Sequence, residues 1–257
     1  MSVLPFITVA LFGAVLGSFF NVLIYRVPRG MSIVRPRSSC PYCNSAIAWY
    51  DNIPILSYIL LAGRCRSCKK FISPRYLVVE IVTSFALCFA FFRNGLSPQF
   101  FVESLFFSLL ILVTFTDLET FLIPDLYSIG GIFLGLALSG FNPQVTWKEA
   151  LVGVLIGAGV LLAIACGYGK IRGHEGMGGG DIKLLGMIGA FTGWKGVIIA
   201  LFVSALSGLA AGLIVMAVKR QGLKTAIPYG PFLALGGLVA YLWQKEIIHA
   251  YLTLGSW

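Results

Sequence analysis

Two aspartates stand at the margins of apolar segments, where they could carry acid–base chemistry. Asp117 lies at the end of an apolar segment, and Asp181 ends the glycine-rich stretch that begins at Gly176. Lipid hydrocarbon disfavours a charged carboxylate, so each needs a task or a partner. Two carboxylates that lie close together share one proton and titrate as a unit. The pair therefore indicates acid–base chemistry at a bilayer surface.

The composition predicts the elements that must position these residues. Hydrophobic residues make up 58% of the chain and charged residues 11%, and the mean hydropathy is +0.90. Average soluble domains carry roughly 25% charged residues. The net charge of +9 does not indicate nucleic-acid binding, because the basic residues lie in loops between apolar segments. We therefore predict a protein of the lipid bilayer.

The hydropathy pattern predicts an all-α polytopic membrane protein with about eight transmembrane helices. Several apolar segments are shorter than the roughly 20 residues that a straight helix needs, and Gly193 is predicted to form a turn or a kink. The region 182–218 is thus the least defined. The predicted spans are 4–24, 76–93, 99–117, 126–140, 149–169, 182–193, 195–218 and 229–247.

Loop charges predict the orientation. The loop after the first span has a single acid, Asp51, whereas its basic residues are Arg26, Arg29, Arg35, Arg37, Arg64, Arg66, Lys69, Lys70 and Arg75. Such a loop is cytoplasmic by the positive-inside rule, which leaves the N-terminus outside on an uncleaved first span. The loops at 118–125, 170–181 and 219–228 then also face the cytoplasm. Both aspartates are predicted to lie at cytoplasmic helix ends.

The same loop contains two CxxC pairs. They are separated by 21 residues and comprise Cys40, Cys43, Cys65 and Cys68. Four thiolates at such spacing can surround one Zn²⁺ tetrahedrally, leaving no open position, so the ion would be structural. The alternative is two disulfides or free thiols, but a reducing cytoplasm disfavours disulfides. We predict a small zinc-bound cytoplasmic domain at 26–75, after a first helix at 1–25 and before a membrane core at 76–257.

The glycine run before Asp181 fits neither a dinucleotide-binding nor a P-loop pattern. Its glycines could let an extended peptide approach the backbone, or they could form a flexible loop in which Asp181 only caps the helix from Ile182. The residues leave both interpretations open. Asp125 follows the chain break at Pro124, which predicts mainly a helix cap and secondarily a supporting role at the site.

Four motifs, in the same order along the chain, closely resemble those of type IV prepilin peptidases. They are Gly17-Ser-Phe-Phe-Asn21-Val-Leu-Ile-Tyr25-Arg26-Val-Pro28, the paired CxxC loop, Asp117-Leu-Glu-Thr-Phe-Leu-Ile-Pro-Asp125, and Gly178-Gly-Gly180-Asp181 followed by Ile-Lys-Leu. The resemblance extends from Gly17 to about Pro231. The family contains bifunctional leader peptidases and N-methyltransferases of the bacterial inner membrane.

The resemblance implies an aspartic protease whose catalytic pair is Asp117 and Asp181. Gly178, Gly180, Asp125 and Lys183 would support the site, which would face the cytoplasm. The substrates would be prepilins of type IV pili and pseudopilins of type II secretion, cleaved after their short basic leader. The second activity would methylate the new N-terminus with S-adenosylmethionine.

Candidates for the methyl-transfer site are Asn21, Tyr25, Arg26 and Glu80. For Asn21 and Glu80 the alternative is a polar contact between helices, and for Arg26 an anchor at the headgroups. Two other functions remain in view: an ion-coupled transporter with a zinc-stapled loop, and a membrane scaffold. A transporter would place its charges near the midplane, usually in paired halves, and a scaffold leaves the two aspartates unexplained.

Overall fold

The computed structural model describes residues 3–172, 178–219 and 227–254. The predicted loops at 170–181 and 219–228 lie partly outside these residues. Within them the chain is helical, and its β-pairing is limited to two isolated bridges. The α-helices are α1 (Val3–Arg26), α2 (Leu56–Leu60), α3 (Arg75–Asn94), α4 (Pro98–Thr120), α5 (Asp125–Leu138), α6 (Trp147–Arg172), α7 (Gly179–Lys219) and α8 (Gly230–Leu254).

Five of the described helices are long and apolar enough to cross a membrane, namely α1, α3, α4, α6 and α7. The apolar helix that starts at Asp125 is shorter. The all-helical architecture and the multi-pass membrane character predicted from the sequence are therefore confirmed. The number of membrane passes depends on how α7 is counted, because this helix is interrupted and is not one straight rod.

Gly193 divides α7 into two legs. Its backbone has φ 70° and ψ −179°, a left-handed conformation that suits glycine and interrupts the helix. The turn or kink predicted at Gly193 is thus present. Carbonyls that lose helical partners must find others, because lipid offers none. Asn142 supplies one replacement, since its amide donates a 2.9 Å hydrogen bond to the carbonyl of Phe191.

The chain divides into two compact units, Met1–Leu112 and Val113–Trp257, and the boundary falls inside α4. In the first unit α1 packs on α3 through glycines one turn apart. A side chain on Gly13 would place its Cβ 2.7 Å from Cα of Ser84, and one on Gly17 would place it 2.7 Å from Cα of Glu80. Such spacing of small residues lets two helix backbones approach in a membrane, where hydrophobicity does not drive helix association.

In the second unit α7 packs against α5, α6 and α8. Here too small residues set the helix distance, because Gly153 of α6 and Gly189 of α7 bring their backbones into contact. The unit also includes the last turns of α4. It therefore contains the C-terminal end of α4 together with the N-terminal ends of α7 and α8.

Candidate active site and four-cysteine cluster

Asp117 lies in the last turn of α4 and is only 5% exposed. The helix ends just beyond it, because Phe121 adopts a left-handed backbone with φ 55° and its N–H donates to the carbonyl of Asp117 at 2.9 Å. A left-handed residue after the last turn is a common way to stop a helix, although bulky side chains rarely occupy it. The carboxylate is thereby held at a helix end.

Gly230, the first residue of α8, holds the Asp117 side chain. Its N–H donates a 2.8 Å hydrogen bond to Oδ2 of Asp117. Free N–H groups at a helix N-terminus carry partial positive charge and favour an anionic partner. A side chain at this position would place its Cβ 2.7 Å from the same oxygen. Glycine therefore permits a contact that any larger residue would obstruct.

Asp181 is the third residue of α7, is half-buried, and interacts electrostatically with Asp117. The structure thus brings the two predicted carboxylates into one site. The alternative that Asp181 caps a helix from Ile182 is wrong, because α7 already begins at Gly179 and Asp181 lies within its first turn. An acidic residue there still interacts favourably with the helix dipole.

Ile123 packs against the backbone on both sides of the site. A Cβ on Gly180 would lie 2.9 Å from Cβ of Ile123, and one on Gly230 would lie 3.2 Å from its Cδ1. Gly180 directly precedes Asp181, whereas Gly230 bonds Asp117. One aliphatic side chain thus links the two segments that hold the carboxylates. Gly178 is exposed, and a Cβ added to it would lie 3.8 Å from Oδ2 of Asp181.

Asp125 plays a different part from the predicted helix cap. Pro124 occupies the N-cap of α5, and the structure gives this helix no side-chain capping bond. Instead Oδ1 of Asp125 accepts a 2.6 Å hydrogen bond from Nζ of Lys183. The Asp125 and Lys183 side chains are 61% and 40% exposed. This ion pair connects the start of α5 to α7, one residue beyond Ile182.

In the first unit, the four candidates for methyl transfer each have structural partners. The Asn21 amide donates to the carbonyl of Tyr76 at 3.0 Å, which is the polar contact between helices offered as its alternative role. Its Oδ1, however, is buried and has no hydrogen-bond partner. The ring of Tyr25 lies 4.1 Å from the guanidinium of Arg29.

Arg26 and Glu80 both bind the backbone of the loop between α1 and α3. Arg26 is buried, and its guanidinium donates to the carbonyls of Ser32 at 2.8 Å and Pro36 at 2.7 Å. Glu80, 7% exposed, accepts a 2.7 Å bond from the N–H of Ile55. Arg26 is therefore not an anchor at the lipid headgroups, because its side chain is buried and binds loop carbonyls.

The four predicted cysteine ligands form one cluster. Their sulfurs all lie within 4.8 Å of one another, with Cys40 and Cys68 3.8 Å apart and Cys43 and Cys65 4.0 Å apart. Zn–S bonds of about 2.3 Å give a tetrahedron whose edges are about 3.8 Å. The donor set therefore fits a tetrahedral, thiolate-bound metal ion.

The two CxxC turns have the same backbone design. In the first, the Cys40 N–H donates to Ser45 and the Asn44 N–H returns to the Cys40 carbonyl, at 3.0 and 2.9 Å. In the second, Cys65 donates to Lys70 and Lys69 returns to Cys65, at 2.9 and 3.0 Å. Asn44 and Lys69 both have left-handed backbones, with φ 56° and 58°. Two equivalent turns present two sulfurs each.

The local hydrogen bonds favour thiolates. The N–H groups of Cys68 and Ser67 lower the pKa of Cys65 to about 6, and hydrogen bonds from Ser45 lower the pKa of Cys43. The Lys70 N–H acts in the same sense on Cys68, but burial and the other sulfurs raise that pKa to about 11. Negative charges on four adjacent sulfurs repel one another, and a bound divalent cation offsets this repulsion.

Two family models of known proteins match the chain. Residues 11–94 match the family model of the bacterial peptidase A24 N-terminal domain, and residues 104–213 match that of the type IV leader peptidase family. No solved structure matches the chain.

Three relatives illustrate the similarity, each named a prepilin leader peptidase/N-methyltransferase. The protein of Aeromonas hydrophila is 34% identical over 276 residues, covering 97% of this chain and 94% of the relative. The protein of Bacillus subtilis is 36% identical over 244 residues, covering 95% and 96%. The protein of Pseudomonas aeruginosa is 32% identical, covering 96% and 93%. With near-complete coverage of both chains at this identity, the protein belongs to the type IV leader peptidase family.

Proposed function

We propose that this protein cleaves the leader peptide of prepilins and pseudopilins and then N-methylates the new N-terminal residue. The observation that carries the peptidase half is that Asp117 and Asp181 interact electrostatically, with Asp117 bonded to the N-terminus of α8. The names of the relatives carry the methyltransferase half. Membership of this family does not support the transporter alternative.

The proposed reaction is water-mediated hydrolysis by the two carboxylates. They share one proton, so one is a base when the other is an acid. The base removes a proton from a water molecule, whose oxygen attacks the scissile carbonyl carbon, while the acid protonates the carbonyl oxygen. Breakdown of the tetrahedral intermediate then breaks the C–N bond, and the amine leaves with a proton from the dyad.

The hydrogen bond from Gly230 supports a division of roles between the carboxylates. It stabilises negative charge on Asp117, whereas Asp181 has the neighbouring carboxylate as a like-charged partner. We therefore assign the base to Asp117 and the acid to Asp181 at the start of the cycle. Asp125 and Lys183 support the site by holding α5 and α7 together.

The surface beside Asp117 suits an apolar substrate segment. Leu118, Phe121 and Leu122 follow the catalytic residue and are 52%, 56% and 58% exposed. Side chains of this kind can contact an apolar helix that lies in the bilayer next to the scissile bond. A peptide with a polar leader and an apolar helix would therefore meet the carboxylates at its boundary.

The loop charges support an orientation in which the two carboxylates lie at the cytoplasmic side of the membrane. With Gly193 as a turn between two legs of α7, the helices supply eight passes, namely α1, α3, α4, α5, α6, both legs of α7, and α8. We place the protein in the bacterial inner membrane, with a first helix at 1–25, a cytoplasmic domain at 26–75 and a core at 76–257.

For the cysteine cluster we propose a structural zinc ion. Four sulfurs at tetrahedral separations leave no position for a reacting water, which supports a role in folding of the 26–75 segment. The cluster would hold two backbone turns together where apolar packing is sparse.

S-adenosylmethionine is the proposed methyl donor, and its methyl group would pass to the amine freed by cleavage. Asn21 is the candidate that retains an unused buried acceptor, its Oδ1. Tyr25, Arg26 and Glu80 remain candidates by their matching positions, although the backbone contacts of Arg26 and Glu80 also support a purely structural role.

Co-expression with a prepilin tests both activities together. Intact-mass spectrometry of the pilin separates loss of the leader from the additional mass of one methyl group. The proposal expects a shortened and methylated pilin in cells with the enzyme and the full-length prepilin in cells without it. A prepilin that keeps its full mass in both would contradict the peptidase assignment.

A further inference from the structure

The short helix α2 turns its apolar side chains away from the protein. Leu56, Ile59 and Leu60 occupy positions i, i+3 and i+4, which lie on one face of a helix. They are 50%, 61% and 74% exposed. Ser57, in contrast, is buried and its hydroxyl donates to the carbonyl of Tyr50 at 2.8 Å. A helix in water would show the opposite pattern.

A hydrogen bond fixes the depth of α2 relative to α3. The N–H of Ile55, the residue before α2, donates to Oε2 of Glu80 at 2.7 Å. Glu80 lies five residues after Arg75, the first residue of α3. At 1.5 Å per residue its Cα lies about 7.5 Å along the helix axis, and its side chain points back towards the helix N-terminus. The 20 residues of α3 match the hydrocarbon thickness of about 30 Å, and Ile55 bonds a carboxylate carried by the second turn of this helix.

The backbone at this point is constrained rather than loosely placed. Ile55 has φ 63° and ψ −55°, a conformation that β-branched residues rarely adopt. Such a residue persists when its surroundings hold it, and the buried Glu80 carboxylate supplies the hydrogen bond that does so here. The start of α2 is therefore held against the second turn of α3.

The residues around α2 have the composition of a membrane interface. Trp49 is 81% exposed, and tryptophan is enriched where hydrocarbon meets headgroups. Basic residues outnumber acidic ones across the loop, and anionic headgroups attract such segments. Between α1 and α3 the cations are Arg29, Arg35, Arg37, Arg64, Arg66, Lys69 and Lys70, against the single acid Asp51.

We infer that α2 is an interfacial helix, inserted with Leu56, Ile59 and Leu60 towards the acyl chains of the leaflet that the loop faces. Interfacial helices sit about 5–10 Å into the boundary between headgroups and acyl chains, and the bond from Ile55 to Glu80 holds the start of α2 beside the second turn of α3. The partner is the phospholipid bilayer. Cys65 and Cys68 follow Leu60 by five and eight residues. The cysteine cluster would therefore lie at the membrane surface.

Site-specific photocrosslinking tests this inference. The full-length protein carries Leu60→p-benzoylphenylalanine and is reconstituted in nanodiscs of phosphatidylethanolamine and phosphatidylglycerol. After irradiation, mass spectrometry of the α2 peptide identifies the partner. The matched control is Tyr42→p-benzoylphenylalanine, at a residue that is 57% exposed on the first CxxC turn.

The inference expects phospholipid adducts at position 60 and only background at position 42. No lipid adduct at position 60, an adduct to a second protein chain, or equal lipid adducts at both positions would overturn it. Ile59→p-benzoylphenylalanine repeats the measurement if the first variant does not bind metal. Since no readout depends on cleavage of a prepilin, the result is independent of the proposed peptidase function.

Discussion

The N–H of Gly230 donates a hydrogen bond of 2.8 Å to Oδ2 of Asp117, across 113 residues of sequence. This contact joins the last turn of α4 to the first residue of α8. It fixes one carboxylate oxygen and leaves the other available for a water or a proton. Prepilin cleavage should therefore depend on a glycine as well as on two aspartates.

Gly230→Ala should lower the rate of prepilin cleavage. The added Cβ would lie 2.7 Å from Oδ2 and would displace the carboxylate. Displacements of about 1 Å in a catalytic group can cost about 10²-fold in rate. We expect a fall of this order in kcat with a smaller change in KM, measured with purified enzyme and a prepilin in detergent.

The control for this variant is Gly212→Ala in α7. A Cβ at Gly212 meets no atom within 4 Å, so the substitution should leave cleavage unchanged. Equal rates for the two alanine variants would contradict the role of Gly230 in positioning Asp117.

Cys40→Ser and Cys65→Ser should each release the metal. Each removes one of four thiolate ligands, and hydroxyls are poor replacements for thiolates in a zinc site. Metal analysis of the purified protein should give well below one zinc per chain. Cys166→Ser is the control. Because Cys166 lies outside the cluster, this variant should retain one zinc per chain. Full zinc in both ligand variants would rule out the four-thiolate site.

Acidification should also release the metal. The pKa of Cys65 is lowered to about 6, so this ligand is a thiolate above that pH and becomes protonated as the pH falls through it. Bound metal competes with protons and lowers the pH at which the sulfurs are protonated, so release follows below about pH 6 and not at neutral pH. Zinc release to a colorimetric chelator, titrated downward in pH, measures this. Release that increased with rising pH would contradict it.

Gly17→Ala should destabilise the packing of α1 on α3. The new Cβ would be 2.7 Å from a backbone atom, Cα of Glu80, which cannot move aside without shifting the helix. Overpacking of this kind typically costs about 1–3 kcal/mol. Thermal unfolding in detergent should show a lower Tm. Gly159→Ala, with open space at its Cβ position, should not lower it.

The sequence predicted the features that depend on local spacing. The four cysteines have ligand spacing that is visible in the chain, and the structure brings their sulfurs together. The kink at Gly193 is predicted because the apolar segment 182–193, which ends at this glycine, is shorter than a straight transmembrane helix needs. The resemblance to the family motifs predicts Asp117 and Asp181 as a pair.

Contacts between distant helices could not be predicted from spacing. Gly230 precedes Pro231 at the start of the last apolar run, which signals a helix start but not its partner. The sequence predicts that Asp125 caps its own helix, whereas its carboxylate forms an ion pair with Lys183 of α7. The apolar face of α2 lies in a loop whose many basic residues predict a cytoplasmic, water-exposed segment. In each case the partner is set by tertiary packing.

The most direct test of the central claim is the cleavage rate of Asp117→Asn and Asp181→Asn under single-turnover conditions with a purified prepilin. Removing a general acid or base typically costs about 10²- to 10⁴-fold, so both variants should lose at least this much. Glu246→Gln, at an exposed carboxylate of α8, should cleave at the normal rate. Normal cleavage by either aspartate variant would contradict the two-carboxylate mechanism.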